Sequence, residues 1–345
     1  MNVAPEPALL QGVRAALLDL DPRETPGDWL RALVQRGFGQ LPLPRTGRTF
    51  ERWQALAAVA GHDLSLAKLY EGHTDALSIK ARLGRVDTES PDTWGTCSAE
   101  APDGRTIIEL RGGGHVQVRG AKCWCSGAAH VDHGLLTGWF ADGRGPQLVT
   151  VAMSQPGIAV GASAWQAVGM AGSSSVDVVF IGTGGELVGH VGDYLSRPGF
   201  WQGGAGIAAC WYGGATALGE ALRHSLEKAP QAARSAFRLA ALGKIDMSLR
   251  ATAGVLRDAA FWIDQHPPAD ASSVALRARL AAEACATLVL AEAGRALGAG
   301  AFCRDARFAR MAADLAVFVR QSHGERDFAA LGERVALAHN KSWDL

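Results

Sequence analysis

Four side chains able to bind a transition metal fall close together in the middle of the chain: Cys123, Cys125, His130 and His133. Their C-x-C spacing is unlike the C-x₂₋₄-C of zinc sites. On a strand both thiols would share the face opposite Trp124 and behave as small buried hydrophobes. No metal is expected. Ser126, His130 and Asp132 supply the residue types of a hydrolytic triad, but no G-x-S-x-G turn frames the serine. Gly182-Thr183-Gly184-Gly185 follows a β-branched run without opening a helix, so it reads as a strand-to-strand turn and not as a phosphate-cradling loop. The run Arg320-Gln321-Ser322-His323-Gly324-Glu325-Arg326 holds an imidazole, His323, a side chain able to give or take a proton. Its plainer reading is a helix end where Arg320 and His323 cap the last carbonyls. His73, in Tyr70-Glu71-Gly72-His73, lies in a polar strip of an otherwise apolar helix, as a pocket residue or as a plain interruption of the pattern.

The elements that must position these groups are bounded by length and composition. At 345 residues the chain suits two or three structural units of roughly 100–150 residues each. It is 48% apolar and 20% charged, a globular composition. Thirty-four basic residues balance thirty-four acidic ones, so no net field draws in nucleic acid or an anionic membrane. The first residues lack the charged-then-apolar layout of a secretory signal. The longest uncharged helical candidate, 203–218, is glycine-rich and shorter than the roughly 20 residues that span a bilayer. Six scattered cysteines read as reduced thiols, and the expected location is cytoplasmic.

Three zones follow. Residues 1–92 read as helices. Thr25-Pro26-Gly27-Asp28 is a helix start, Trp53, Leu56, Ala57 and Ala60 repeat at helical spacing, and 63–83 forms another helix. Residues 93–200 change texture. Thr106–Leu110, the glycines 112–114 and His115–Arg119 make a hairpin, and 134–140, 147–153 and 176–181 are further strands. Short strands separated by turns point to a small antiparallel barrel. Residues 201–345 return to helix at 202–228, 232–266, 271–297, 306–321 and 325–337, an antiparallel four-helix-type bundle. The fold class is α+β.

That order, with three local signatures, resembles the acyl-CoA dehydrogenase family of flavoproteins. Lys122-Cys123-Trp124-Cys125-Ser126-Gly127 is similar to the family's K-x-W-[IV]-[TS]-N/G stretch. Trp165-Gln166-Ala167-Val168-Gly169-Met170, followed by the serines 173–175 and the strand 176–180, resembles its "W…GM…s…v.F" pair. Arg295-Ala296-Leu297-Gly298-Ala299-Gly300-Ala301-Phe302 with Arg304-Asp305 resembles its Q-x-L-G-G-x-G-F…R-D segment. The resemblance implies FAD, with Trp124 packed beside the flavin ring and the Ser126 hydroxyl near its reactive nitrogen. It implies that Arg295, Leu297 and Gly298 approach the diphosphate of a neighbouring subunit's cofactor, in a homodimer or homotetramer. Ser322 would stand in for a threonine that touches the cofactor. The family's T-E-P-x-x-G-S-D loop corresponds to 97–104, where Cys97, Ser98 and Ala99 would make backbone contacts with the flavin and the glycine-serine tip is missing.

The departures bear on chemistry. The family's catalytic glutamate, in Y-E-G-[TS], corresponds to Arg320-Gln321-Ser322, and the alternative acid position on the first bundle helix reads Ala205-Gly206-Ile207. Neither has an acid. Desaturation of a thioester needs a carboxylate within about 3 Å of the α-proton, and a guanidinium stays protonated. The candidate catalytic residues are therefore His323, Glu325 and Arg320, with Glu325 brought in by a small shift of alignment. The expected function is FAD-dependent oxidation of an acyl-CoA or other small organic substrate. The alternatives are a flavin monooxygenase or oxidase on the same fold and a binding protein without flavin; the partners expected are an electron acceptor that takes electrons from the flavin or a flavin reductase that supplies them.

Overall fold

A computed structural model describes residues 6–84, 90–100, 105–161, 165–197, 199–230, 235–338 and 343. Residues 101–104, the tip of the expected flavin-contact loop, lie outside the described residues, as does Arg234, which with Phe237 is the nearest match in this sequence to an R-x-x-F-G segment of the family it resembles. The helices are α1 Ala8–Leu18, α2 Pro26–Leu33 with a π-helical turn to Phe38, α3 Thr49–His62 and α4 Leu64–Arg82. Seven strands follow: β1 Trp94–Cys97, β2 Thr106–Gly112, β3 His115–Cys125, β4 His133–Phe140, β5 Pro146–Ala152, β6 Ile158–Val160 and β7 Val176–Val188. The rest is helical: α5 Asp193–Ser196, α6 Phe200–Gly204, α7 Ile207–Lys228, α8 Ala236–Gln265, α9 Ser272–Leu297, α10 Ala299–Arg304, α11 Ala306–Phe318 and α12 Glu325–Ala336. Among the described residues no helix is long and apolar enough to cross a membrane.

Contacts group the chain into two compact units, Met1–Leu41 with Ser65–Phe200, and Pro42–Leu64 with Trp201–Leu345. This grouping cuts the N-terminal helices differently from their texture in sequence, because α3 packs with the later helices.

In the first unit β2, β3, β7, β5 and β4 pair in a ring, each with two of the others. β1 extends it along β4 and β6 along β7. The expectation of a wholly antiparallel arrangement is corrected: β2–β4 and β1–β4 are parallel. A ring with an odd number of strands cannot alternate throughout, so one neighbouring pair must run the same way. Period-two alternation sorts the side chains. Leu136 and Val149 join Val118, Val178 and Phe180 in one core, while Leu135 and Leu148 face Ala76, Leu77, Ile79 and Trp94 in another. The glycine run 182–185 is a second correction, since it lies inside β7. Gly185 passes so close to β5 that a Cβ would stand 2.6 Å from Val149 and 3.0 Å from the Thr150 carbonyl, which is why glycine continues the strand there.

The helices of this unit are tied in by polar contacts. Thr25 and Asp28 form the expected capping box at the start of α2. Arg31 on α2 grips Asp132 with two bonds of 3.0 and 3.1 Å, and Tyr70 on α4 donates to the Phe38 carbonyl at 2.6 Å. Thr96 on β1 donates to the Gly72 carbonyl at 2.8 Å.

The second unit is a helical pack of α3 with α7, α8, α9, α11 and α12. Its closeness rests on glycines of α7: a Cβ on Gly213 would stand 2.2 Å from the Ala57 carbonyl oxygen of α3, so the two backbones touch. Buried Trp53 and Trp211 supply bulk. Asp264 at the end of α8 accepts the Thr49 amide at 2.9 Å and hydroxyl at 2.6 Å, capping α3. The single helix expected over 202–228 is broken between α6 and α7, where Gly203, Gly204 and Gly206 weaken helical continuity.

Candidate functional site

The site begins at an irregularity of β3. Lys122 pairs with Val178 and Cys125 with Val176, so Cys123 and Trp124 form a bulge against β7. Trp124 takes a left-handed backbone (φ 57°), unusual for a bulky residue. Its amide donates to the Asp177 carboxylate at 3.2 Å, which holds the bulge. The consequence is a reversal of faces: Cys125 turns into the core, and the Trp124 indole stands 55% exposed. The expectation that Cys123 and Cys125 share a face is therefore corrected, since Cys123 is only half-buried. A hydrogen bond with Cys97, together with burial, pushes the Cys125 thiol well up. A thiol so placed is inert as a nucleophile or metal ligand.

Beyond the bulge the chain turns sharply. Gly127 (φ 70°) donates its amide to the Ser173 carbonyl at 2.9 Å, and a Cβ there would stand 2.7 Å from Leu69. Ser126, fixed between bulge and turn, shares a hydrogen bond of 2.8 Å with Ser175, which shares one of 2.9 Å with Ser173. Ser173 in turn donates to the Met170 carbonyl at 2.7 Å. Sequence reading placed Trp124 and Ser126 together and set the serines 173–175 in a separate signature, without joining the two.

The strand end 97–100 is anchored from β3 and β4. The Lys122 ammonium, buried almost completely, donates to Glu100 at 2.6 Å and to Thr137 at 2.7 Å. Thr137 and the Trp139 indole, the latter at 3.0 Å, also donate to Glu100. Burial raises the Glu100 carboxyl, but the bonds from Lys122, Thr137 and Trp139 outweigh it and hold it below the usual range. Cys97 is buried, Ser98 lies half-buried within reach of the Tyr194 phenol, and Ala99 is exposed.

Other candidates are absorbed by structure. His73 is buried and its Nδ1 accepts the Trp94 amide at 3.0 Å, a tie between α4 and β1. Asp132 is occupied by Arg31 and by the Thr93 amide and hydroxyl, both at 2.8 Å. Burial raises this carboxyl and the bonds from Arg31 and Thr93 bring it below its ordinary value. His130 approaches Ser174 at 3.4 Å, so Ser126, His130 and Asp132 do not line up as a triad.

The remaining expected site residues belong to the second unit. Arg295, 72% exposed, pairs with Glu292. Gly298, between α9 and α10, has φ 67°, and a Cβ on it would meet nothing within 4 Å. Its backbone is open to a large group while its conformation favours glycine. Leu297 beside it is half-buried. The Ser322 hydroxyl donates to Glu283 on α9. His323 and Glu325 are exposed at the start of α12, with His323 Nδ1 3.6 Å from Asp327, and Arg320 is exposed in the turn after α11. Three charged residues that sequence reading missed gather on this segment. Arg279 donates to the Gln321 carbonyl at 3.3 Å and lies over the Trp211 ring, its Nε stands 3.9 Å from Asp327, and Glu283 receives Ser322. Arg279 and Glu283 stand one turn apart on α9, the spacing of a shared helical face, and that was the available signal.

A flavin asks a protein for a flat apolar wall, polar atoms at the ring edge and open backbone near its phosphates. The exposed indole of Trp124, the Ser126 hydroxyl and the backbone at Ser98 and Ala99 meet the first two needs in the first unit. The open glycine at 298 meets the third in the second. The residues present fit the group.

No protein-family model and no curated protein matches the sequence. Solved structures do. The dibenzothiophene monooxygenase TdsC of Paenibacillus sp. A11-2, in complex with FMN and indole, superposes with a TM-score of 0.79 at 17% identity over 96% of both chains. Butyryl-CoA dehydrogenase of Megasphaera elsdenii gives 0.79 at 15% identity over 97% of this chain and 100% of that one. KijD3, in complex with FMN and a dTDP-linked amino sugar, gives 0.74 at 20% identity over 98% and 93%. At these identities the likeness is one of fold. The chain has the acyl-CoA dehydrogenase-like fold, α+β with a strand-rich centre and a helical C-terminal region.

Proposed function

We propose that this chain, built on the acyl-CoA dehydrogenase-like fold, is a flavin-dependent oxidoreductase acting on a small organic substrate. The observation that carries the proposal is the bulge at 123–127, which spends a left-handed tryptophan and a tightly packed glycine on presenting one exposed indole beside one fixed hydroxyl. Local strain of that kind belongs to sites. Trp124, Ser126, Cys97, Ser98 and Ala99 hold the ring. The open backbone at Gly298, flanked by Arg295 and Leu297, supports FAD with its diphosphate, and by the resemblance we take that contact to come from a second copy in a homodimer or homotetramer. Bound flavin supplies two-electron redox chemistry. The division 1–92, 93–200 and 201–345 is kept as the functional division, with the central segment carrying the ring contacts.

Two substrate classes separate on the protein's own acids and bases. An acyl-CoA desaturase requires a carboxylate at the substrate, and positions 320–322 offer none. Glu283, held by Ser322, and Glu325 are the carboxylates nearest in structure or sequence to that segment. A monooxygenase or oxidase needs a proton donor instead, and exposed His323 supplies one. This second reading draws support from the two FMN-bound neighbours, one of them a monooxygenase. Its electrons would come from a flavin reductase.

The purified protein is incubated with FAD or FMN, desalted, and its visible spectrum recorded. Retained flavin bands are expected, stronger with FAD. A colourless protein after both loadings would overturn the proposal and leave a binding protein without flavin. With flavin retained, anaerobic bleaching by acyl-CoA selects the desaturase. Oxygen uptake that depends on supplied reduced flavin and substrate selects the monooxygenase.

A further inference from the structure

The chain of serines behind the proposed flavin site has a direction. A carbonyl oxygen cannot donate, so the 2.7 Å contact between Ser173 and the Met170 carbonyl requires the single Ser173 proton. Ser173 can then only accept from Ser175 across their 2.9 Å bond. That uses the Ser175 proton, and Ser175 can only accept from Ser126 across 2.8 Å. Ser173 is 1% and Ser175 6% exposed, so bulk water does not reassign the protons. The Ser126 proton is committed inward, and its hydroxyl turns lone pairs outward.

We infer that Ser126 is an acceptor-only contact, and that it selects the reduced over the oxidised form of the flavin. This rests on the flavin reading above. In oxidised flavin N5 is a bare lone pair, which would face the Ser126 lone pairs without a proton between them. Two electrons and one proton give the reduced anion, with the proton on N5, and that N–H meets the acceptor it needs. Dithionite supplies the electrons in the experiment below and solvent supplies the proton. The serine chain therefore binds reduced flavin more tightly and raises the midpoint potential. Ser173 and Ser175 are positioning residues, since both are buried and act through Ser126.

The test compares FAD affinity and midpoint potential in the wild type, Ser175→Ala and Ser173→Ala, using dithionite titration against a reference dye. Ser175→Ala removes the inward acceptor and frees the Ser126 proton for oxidised N5. The ratio of oxidised to reduced dissociation constants is expected to fall about tenfold, the scale of one hydrogen bond, which lowers a two-electron potential by about 30 mV. Ser173→Ala, one step further back, leaves Ser175 free to rotate and is expected to lower the potential by less. Circular dichroism and thermal melts verify folding, and Ser173→Ala remains a valid test if Ser175→Ala misfolds. A potential that is unchanged or raised in both folded variants, with FAD bound, overturns the inference and leaves the flavin reading intact. A wild type that binds no flavin overturns both.

Discussion

The bulge at 123–127 and the segment 320–325 are the two places where sequence motifs pointed to chemistry, and they are built in opposite ways. Around the bulge the supporting groups have directional partners: Lys122 with Glu100 and Thr137, Gly127 with Ser173, Ser126 with Ser175. Along 320–325 the side chains of Arg320, His323 and Glu325 stand in solvent, His323 loosely paired with Asp327 at 3.6 Å, while the Ser322 hydroxyl is tied to Glu283. A surface that must hold a ring in one geometry gains from rigidity in its supports. On the proposed reading the bulge is scaffold and the segment 320–325 carries reactivity, and substitutions can measure how far the two are separate.

The largest effect is expected at the buried ion pair, and its two halves differ. Glu100 is 40% exposed at its side chain and Lys122 is 2% exposed. Glu100→Ala strands a buried ammonium and should cost about 3 kcal/mol, the scale for breaking a buried pair from one side. Lys122→Met leaves a carboxylate that water can reach and should cost about 1 kcal/mol, as one lost hydrogen-bond set does. Urea unfolding of the two variants checks the asymmetry; equal losses would mean that Lys122 reaches water when unpaired. Acid adds a second reading. The Glu100 and Asp132 carboxyls are both held below their unfolded values of about 4. Their stabilisation is full above about pH 4 and is lost as pH falls through the folded values. As pH falls below about 4 stability should therefore drop in the wild type and less steeply in Glu100→Gln. Parallel pH slopes would remove Glu100 from the account.

Next comes the turn glycine. Gly127→Ala meets both a left-handed backbone and the Leu69 side chain at 2.7 Å, and about 2 kcal/mol is expected. Gly298→Ala meets open space, so its cost is backbone strain alone: φ 67° with ψ −173° is a region essentially confined to glycine, and about 2 kcal/mol is expected. Thermal melts of the two variants separate packing from strain.

These contrasts also mark what was legible in the sequence. The Lys122-to-Gly127 motif, the helix start at Thr25 and most strand and helix bounds could be read, because each depends on local pattern: alternation, capping residues, glycine at a turn. What could not be read depends on contacts between distant segments. Nothing local tells that Glu100 meets Lys122, that Ser126 leans on Ser175, or that α3 joins the later helices through Gly213. The parallel pair β2–β4 was missed because strand count around a ring is a global property. Near 320–325 the sequence drew attention to the exposed residues and passed over Arg279 and Glu283, whose α9 positions acquire meaning only when α9 is laid beside the turn.

The smallest effects on stability are expected at that turn, and there they say most about function. Ser322→Ala removes the hydroxyl from Glu283, which keeps partial access to water, so about 1 kcal/mol or less should be lost. His323→Gln and Arg320→Ala, both exposed, should change stability by no more than about 0.5 kcal/mol. Activity need not follow stability. If His323 is the proton donor of a monooxygenase, His323→Gln should lower kcat on the order of a hundredfold while leaving flavin affinity and the melting curve alone. If a carboxylate serves an acyl substrate, Glu283→Gln or Glu325→Gln should take that loss instead, and His323→Gln should be silent. A melt, a flavin titration and a turnover assay on these variants thus assign the chemistry. The region that contributes least to holding the protein together is the one expected to distinguish one reaction from the other.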